Sequence, residues 1–340
     1  MLKPSVLILG AAGHSVDIAT LPAFLYWQNE GVLGNIIAFD RWAPSHYSAG
    51  SRGYTFVTGD ALNLGEVHKA VAKLESKTSI FYCALPPHLY LQALTILVEA
   101  IRDSHITNSL LALEKPVGLD AASAKAIQQV ASQFTRVCYV DHYLGKLAHI
   151  HYPPMPVPSE ISQVVIEAIE TDPVDHSRLE SWNHYGILGD MVQSHLLQLL
   201  ASLLAPENKV EFLRSLRPEF VALSTYGTYP ARMEQVLGHP PTSIASTWVD
   251  MELESSDPAM PRIQITSGKA MTEKRTQVVF FLKDKTHLNL SLPRLSLKDY
   301  IPIVGGMIDV QKGLPSKLFV SFEEVLASWN LIERALTKEH

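Results

Sequence analysis

Residues 5–13, SVLILGAAG, constrain this chain more than any other stretch. Ser5 to Gly10 is an apolar run without polar alternation. A strand of that kind hides both faces, as in a parallel sheet covered by helices on either side. Gly10-Ala11-Ala12-Gly13 follows at once, and a helical stretch then continues to about Glu30. Strand, glycine turn and helix recur downstream. Asn35 to Phe39 is a second strand ending at Asp40-Arg41, and Thr55-Phe56-Val57 is a weaker third. Ser79 to Ala84 is a strand stopped by Pro86-Pro87, Leu89 to Asp103 a helix, and Ser109 to Glu114 a strand closed by Lys115-Pro116. Ala121 to Phe134 is a helix and Arg136 to Val140 a strand. Such alternation predicts an α/β fold, a doubly wound parallel sheet of the Rossmann type.

The character changes near residue 150, where Pro153, Pro154, Pro156 and Pro158 interrupt regular structure. Ile161 to Glu170 is strand-like. An apolar helix spans Gly186 to Ala205, and alternating segments follow: SIASTWVDMEL, RIQITSG, TQVVFFL and HLNLSL. Phe322 to Leu336 is an amphipathic helix. The pattern predicts a C-terminal α+β domain with a mostly antiparallel sheet. The expected division is a dinucleotide-binding domain over 1–145 and a substrate-binding and oligomerisation domain over 146–340, a size each domain can sustain.

Composition narrows the function classes. With 47% hydrophobic and 18% charged residues the chain is expected to pack as a globule. A net charge of −6 signals no broad basic surface, so no nucleic-acid partner is expected, and an anionic substrate would need a local basic pocket. Gly186 to Ala205 approaches the length of a membrane span, but Asp190, Gln193, His195 and Gln198 interrupt it. Charges are costly in a bilayer, so a buried helix and no membrane partner are expected. Cys83 and Cys138 sit in apolar strands and read as buried free thiols of a reducing, cytoplasmic compartment; no signal-peptide pattern or metal-binding cysteine motif is present.

Four runs carry chemistry. Gly10, Ala12 and Gly13 form a turn that lets a backbone approach a pyrophosphate at a helix N-terminus; a plain tight turn is the bland alternative. Asp40-Arg41 ends the second strand, where an adenosine ribose is read: an acid suits a free 2′-hydroxyl and a guanidinium a 2′-phosphate, while a surface ion pair is equally compatible with the spacing. Lys115, in Glu114-Lys115-Pro116-Val117-Gly118, stands at the carboxyl edge of the sheet, where ligands of open α/β sheets bind; a lone strand-end lysine is more often simply solvated. Asp141-His142-Tyr143-Leu144-Gly145-Lys146 offers an acid and three donors, and Tyr143 and Lys146, three apart, can face one anion. Asp141 as a plain helix cap is the competing reading. Finally, Asp190 and His195 share the apolar helix. Five residues apart, they are separated by about 140° on an α-helix, so they are expected to border one pocket without stacking on one face. A core histidine is the bland alternative to a base.

Taken together these runs resemble the glucose-6-phosphate dehydrogenase family. ILGAAGH is similar to its strand and G-x-x-G-D turn, FYCALPP to its alanine-leucine-proline-proline run, and EKPVG and DHYLGK to two of its signatures. GILGDMVQSHLLQLL resembles its G-I-x-R-D-x-x-Q-N-H-L-L-Q helix, SGKAMTEKRTQVVFFL its glycine-lysine-alanine-leucine strand pair, and SFEEVLASWNLI its closing helix. The resemblance implies oxidation of a sugar-phosphate C1 hydroxyl to a lactone, with NADP, or alternatively NAD, as hydride acceptor. It implies His195 as general base, Asp141 as the carboxylate that orients it, and Lys115 touching both ligands. His142, Tyr143 and Lys146 would hold the phosphate, Asp190 sugar hydroxyls, and Lys269 and Lys274 the sugar phosphate from the second domain. Gly10, Ala12, Gly13, His14, Ser15, Asp40, Arg41, Ala84, Leu85 and Pro86 would line the coenzyme. A homodimer is the implied assembly.

Departures accompany the resemblance. His14 stands where the family has aspartate. The loop Asp172-Pro173-Val174-Asp175-His176-Ser177-Arg178 lacks the family's sugar-binding glutamate, and the chain is about a third shorter, with length missing between Leu292 and Phe322. Two other readings stay open: a Rossmann oxidoreductase acting on another sugar, a carbonyl or an imine, and a degenerate sensor that binds sugar phosphate or coenzyme without turnover.

Overall fold

The computed structural model describes residues 3–43, 53–150 and 154–338, so Pro153 of the proline-rich break lies outside the described residues. The chain forms two compact units. The first comprises Met1–Gly118, Ala122–Ile150 and Arg294–Phe322; the second comprises Leu119–Ala121, His151–Pro293 and Glu323–His340. Composition placed 294–322 with the second half of the chain, whereas the backbone carries that segment back to the first unit.

The first unit is built on a seven-stranded sheet. Its strands are β1 (Ser5–Leu9), β2 (Ile36–Asp40), β3 (Thr55–Thr58), β4 (Thr78–Cys83), β5 (Asn108–Glu114) and β6 (Arg136–Val140), with β13 (Phe319–Val320) added from the returning segment. The order is β13-β6-β5-β4-β1-β2-β3. Every pair is parallel except β13 with β6. Strand order reverses between β1 and β4, the switch point at which such sheets open a crevice at their carboxyl ends. The apolar runs behave as the sequence predicts: all five β1 residues are buried. Helices cover the sheet, and Leu297–Gln311 joins them from the returning segment. Tyr300, Ile303, Val304 and Met307 of that helix belong to the same core as Val6, Ile8 and Ile80, and Trp27 Nε1 donates to the Ile301 carbonyl at 2.9 Å.

The second unit holds a six-stranded sheet made of β7 (Ile161–Ile169), β8 (Leu216–Ser224), β9 (Trp248–Ser255), β10 (Arg262–Gly268), β11 (Arg275–Leu282) and β12 (His287–Ser291). Its order is β12-β11-β7-β10-β9-β8. β7 and β10 run parallel, in a register that sets Gly268 opposite Ile169, and the other pairs are antiparallel. The apolar segment Gly186 to Ala205 is helical, as a π-helix over Leu188–Leu196 and an α-helix over Leu197–Leu204. The closing helix Phe322–Leu336 packs on it: Gln198 Nε2 donates to Ser328 Oγ at 2.8 Å. Among the described residues no helix is long and apolar enough to cross a membrane.

Two glycines set backbone distances in the first unit. Gly10 has φ +84°, and a Cβ there would stand 2.4 Å from the Ala84 carbonyl oxygen. Gly145, in the helix His142–His149, would place a Cβ 2.2 Å from the Asp299 carbonyl oxygen. Both contacts are with backbone, which cannot swing aside. Gly10→Ala is therefore expected to lose more than the ~1–2 kcal/mol of a left-handed alanine alone, seen as a lower midpoint in denaturant unfolding. An unchanged midpoint would mean that the turn can move away from β4.

Candidate active site

Each unit carries part of the predicted constellation. In the first, the chain turns after β1 so that Gly10 N and Ala11 N donate to the Phe39 carbonyl at 3.1 and 3.3 Å. Asp40 closes the turn from the side: its Oδ2 accepts the Ala12 N–H at 2.9 Å, and its Oδ1 accepts the Trp42 N–H at 3.3 Å. Gly10 and Ala11 are buried beneath the turn, while Gly13 and His14 are exposed on it and Ala12 and Ser15 are half-buried. Ala84, Leu85 and Pro86 follow β4 beside the same turn, half-buried, and Ala84 N donates to the Leu9 carbonyl at 3.0 Å. Arg41 points to solvent. Of the two candidate ribose readers it is Asp40 that faces the turn.

The ends of β5 and β6 supply the next group. Lys115 Nζ lies 4.0 Å from Asp141 Oδ2, with both side chains withdrawn from solvent. Asp141 is also the N-cap of the helix His142–His149, its Oδ1 accepting the Tyr143 N–H at 2.9 Å. The cap and the site readings are thus not rivals: one oxygen fixes the helix and the other faces the lysine. Lys115 is not a solvated strand-end residue, and its bond to Pro116 is cis. Along that helix, three residues on, Lys146 Nζ sits 4.6 Å above the Tyr143 ring. The His142 ring stands 5.1 Å from that of Tyr143. One helical turn therefore presents an imidazole, a phenol and a mostly buried ammonium.

The second unit gathers Asp190, Lys269, Arg178, Glu170 and Trp182. Arg178 Nη2 donates to Asp190 Oδ1 at 2.8 Å. Lys269 Nζ donates to Glu170 Oε2 at 2.5 Å, lies 4.0 Å from Asp190 Oδ2, and sits 5.3 Å from the centre of the Trp182 ring. The cause is topological: β7 and β10 are parallel neighbours, so the residues just past their ends, Glu170 and Lys269, emerge side by side. Burial would raise the Asp190 carboxyl, but Arg178, Lys269 and His195 together outweigh it and hold it below the usual carboxylate range.

His195 and Asp190 require a correction. On an α-helix a five-residue spacing would separate them around the axis. Leu188–Leu196 is instead a π-helix, whose i→i+5 repeat returns residues five apart to one face. The Ser194 hydroxyl follows that repeat, donating to the Gly189 carbonyl at 2.7 Å. Asp190 and His195 are electrostatic partners. Glu170, which precedes the loop after β7, brings an acid to the cluster. Lys274 does not join the cluster; it pairs with the exposed Asp172 at 3.2 Å. Glu170, Arg178 and Trp182 escaped prediction because no local motif marks them.

Arg178 is the largest attractive influence on Asp190. A depressed carboxyl contributes stability above the unfolded value of ~3.9, and that contribution is lost as pH falls through the lower folded value. Arg178→Ala should raise the Asp190 carboxyl and move acid unfolding to higher pH, both readable by carbon-detected NMR titration. An unmoved Asp190 would mean that Lys269 and His195 hold the charge alone.

Glucose-6-phosphate dehydrogenases recur in the comparisons with known proteins. Residues 52–148 fit the family model described as glucose-6-phosphate dehydrogenase, NAD binding domain. The glucose-6-phosphate 1-dehydrogenase of Dictyostelium discoideum is 27% identical, covering 81% of this chain and 67% of its own. That of Schizosaccharomyces pombe is 28% identical, covering 62% and 51%. The chain thus spans about half to two thirds of the length of these curated relatives. Among solved structures, the glucose-6-phosphate 1-dehydrogenase of Mycobacterium avium superposes with a TM-score of 0.72 at 19% identity, over 100% of this chain and 93% of that one.

Proposed function

We propose that this chain is a member of the glucose-6-phosphate dehydrogenase family, which its matches support, and that it oxidises the C1 hydroxyl of glucose 6-phosphate, or a related sugar phosphate, to a lactone with a nicotinamide coenzyme. The observation that carries this reading is the ordered edge of the parallel sheet. A dinucleotide turn follows β1, the withdrawn Lys115–Asp141 pair ends β5 and β6, and the His142-Tyr143-Lys146 turn comes directly after. The turn fits the coenzyme, because a side chain at position 10 would collide with β4 while the exposed Gly13 leaves the backbone open to a pyrophosphate.

In this reading His195 would take the proton of the anomeric hydroxyl as C1 gives up a hydride, which carries both electrons of the oxidation, and the C1 oxygen would become the lactone carbonyl. The bound nicotinamide supplies the hydride acceptor. Asp141 orients the base and stabilises its charged form, the role of the carboxylate in a base–carboxylate dyad. Lys115 hydrogen-bonds both ligands. Lys146, His142 and Tyr143 hold the phosphate by charge-assisted bonds. Asp190, kept ionised, accepts from sugar hydroxyls, and Lys269 with Glu170 extends that surface. A homodimer in the cytoplasm completes the proposal.

His195→Asn is expected to lower kcat by about 10²–10⁴, the range for loss of a general base, while Lys146→Ala should chiefly raise KM for the sugar phosphate. Near-normal turnover in the first variant removes His195 from the mechanism. Equal use of a sugar and its phosphate by the parent protein removes the clamp.

Coenzyme choice turns on Asp40. Its bond to the Ala12 N–H keeps a carboxylate beside the turn; against a ribose bound there it would suit the 2′-hydroxyl of NAD and repel the 2′-phosphate of NADP. Arg41, which the family resemblance favours as a phosphate reader, is exposed and would have to fold back to act. We therefore place NAD ahead of NADP. Asp40→Ala should improve the KM for NADP by about tenfold, ~1.4 kcal/mol, with little effect from Arg41→Ala. A parent protein that prefers NADP and loses that preference with Arg41→Ala would reverse the order.

A further inference from the structure

The helix Leu297–Gln311 meets the helix His142–His149 at three points, all within the first unit. The Asp299 carbonyl oxygen lies so close to Gly145 that a Cβ would stand 2.2 Å from it. The two backbones are therefore in direct contact and their register is fixed. The Asp299 carboxylate caps its own helix, accepting the Ser296 N–H at 2.8 Å, and lies 3.4 Å from His149 Nε2. Next to it, the buried Tyr300 ring is stacked on His142, with centroids 6.3 Å apart and planes at 20°.

Tyr300 is held at its far end as well. Its hydroxyl donates to Glu114 Oε1 at 2.5 Å, and the same oxygen accepts the hydroxyl of the buried Tyr82. Burial raises both phenols well above their ordinary value, so they remain donors at any working pH. Glu114 is the residue before Lys115. One rigid connection thus runs from the end of β5, through Tyr300, to the plane of the His142 ring. Nothing in the local sequence around His142 signals it, since Tyr300 lies 186 residues from Glu114.

We propose that Tyr300 is a positioning residue for phosphate binding: its ring, anchored on Glu114, sets the plane of His142 so that the imidazole meets the same anion as Lys146. This rests on the reading of His142, Tyr143 and Lys146 as the phosphate clamp. A ring pair of this kind sets the expected size of the effect, up to about tenfold in affinity.

The test uses the intact protein and two variants, Tyr300→Leu, which removes the ring, and Tyr300→Phe, which keeps the ring and loses the anchor. Side-chain NMR of histidine-labelled protein follows His142 as inorganic phosphate is added, and steady-state kinetics use glucose 6-phosphate. The expected result is a phosphate affinity at His142 weakened up to about tenfold in Tyr300→Leu and less in Tyr300→Phe. KM for the sugar phosphate should rise in parallel, with kcat and the coenzyme KM held within about twofold. A merely structural tyrosine would instead raise both KM values and lower the melting temperature without a selective loss at His142, and that outcome overturns the proposal, as does an unchanged phosphate titration in Tyr300→Leu. Because the titration needs no turnover, the two readings separate. Tyr300-dependent phosphate binding in a protein inactive on every sugar phosphate would sink the reaction and keep the inference. Full activity with Tyr300-independent binding would sink only the inference.

Discussion

The backbone turn at Gly10 lies against the end of β4 so closely that a single methyl group would stand 2.4 Å from the Ala84 carbonyl oxygen, and much of the first unit is arranged around that approach. Parallel strands are joined by crossovers that bring each carboxyl end to the same edge. With β1 and β4 pressed together where the strand order reverses, the next two strands in line, β5 and β6, deliver Lys115 and Asp141 to that edge as neighbours. Asp40 reaches across from the end of β2 to bind the turn. The glycine turn, Asp40 and the lysine–carboxylate pair thus follow from one sheet topology.

The second unit uses the same logic once. Its sheet is antiparallel apart from β7 and β10, and at the shared carboxyl end of that parallel pair stand Glu170 and Lys269. A π-helix supplies the remaining members. Such segments weaken regular helical bonding and are found frequently at functional sites; here one brings Asp190 and His195 to a common face. Four charged groups, Arg178, Asp190, Lys269 and Glu170, then neutralise one another in pairs. That arrangement keeps Asp190 ionised despite its burial.

Much of this was legible in the sequence, and the limits have physical causes. Continuous apolar runs bounded by glycine or proline located β1, β2, β4, β5 and β6 to within about two residues, because strands buried on both faces leave no other pattern, while the two-residue β13 left no such run. The run Asp141 to Lys146 stood out as a cluster of polar groups because its members are close neighbours at the start of one helix. Glu170 and Tyr300 gave no such signal. Glu170 meets Lys269 across a strand register 99 residues deep, and Tyr300 arrives on a helix that returns from the far end of the chain. Alternation along β2 implied that one of Asp40 and Arg41 faces the turn without saying which. The spacing of Asp190 and His195 misled because it was measured on an α-helix.

The central claim is that this edge performs sugar-phosphate oxidation. Its most direct test mixes the purified protein with glucose 6-phosphate, other sugar phosphates and free glucose, each with NAD or NADP, and follows the absorbance of the reduced coenzyme. The account predicts reduced coenzyme and a lactone from a phosphorylated sugar, with free glucose a far poorer substrate. No reduction with any sugar phosphate and either coenzyme would contradict it.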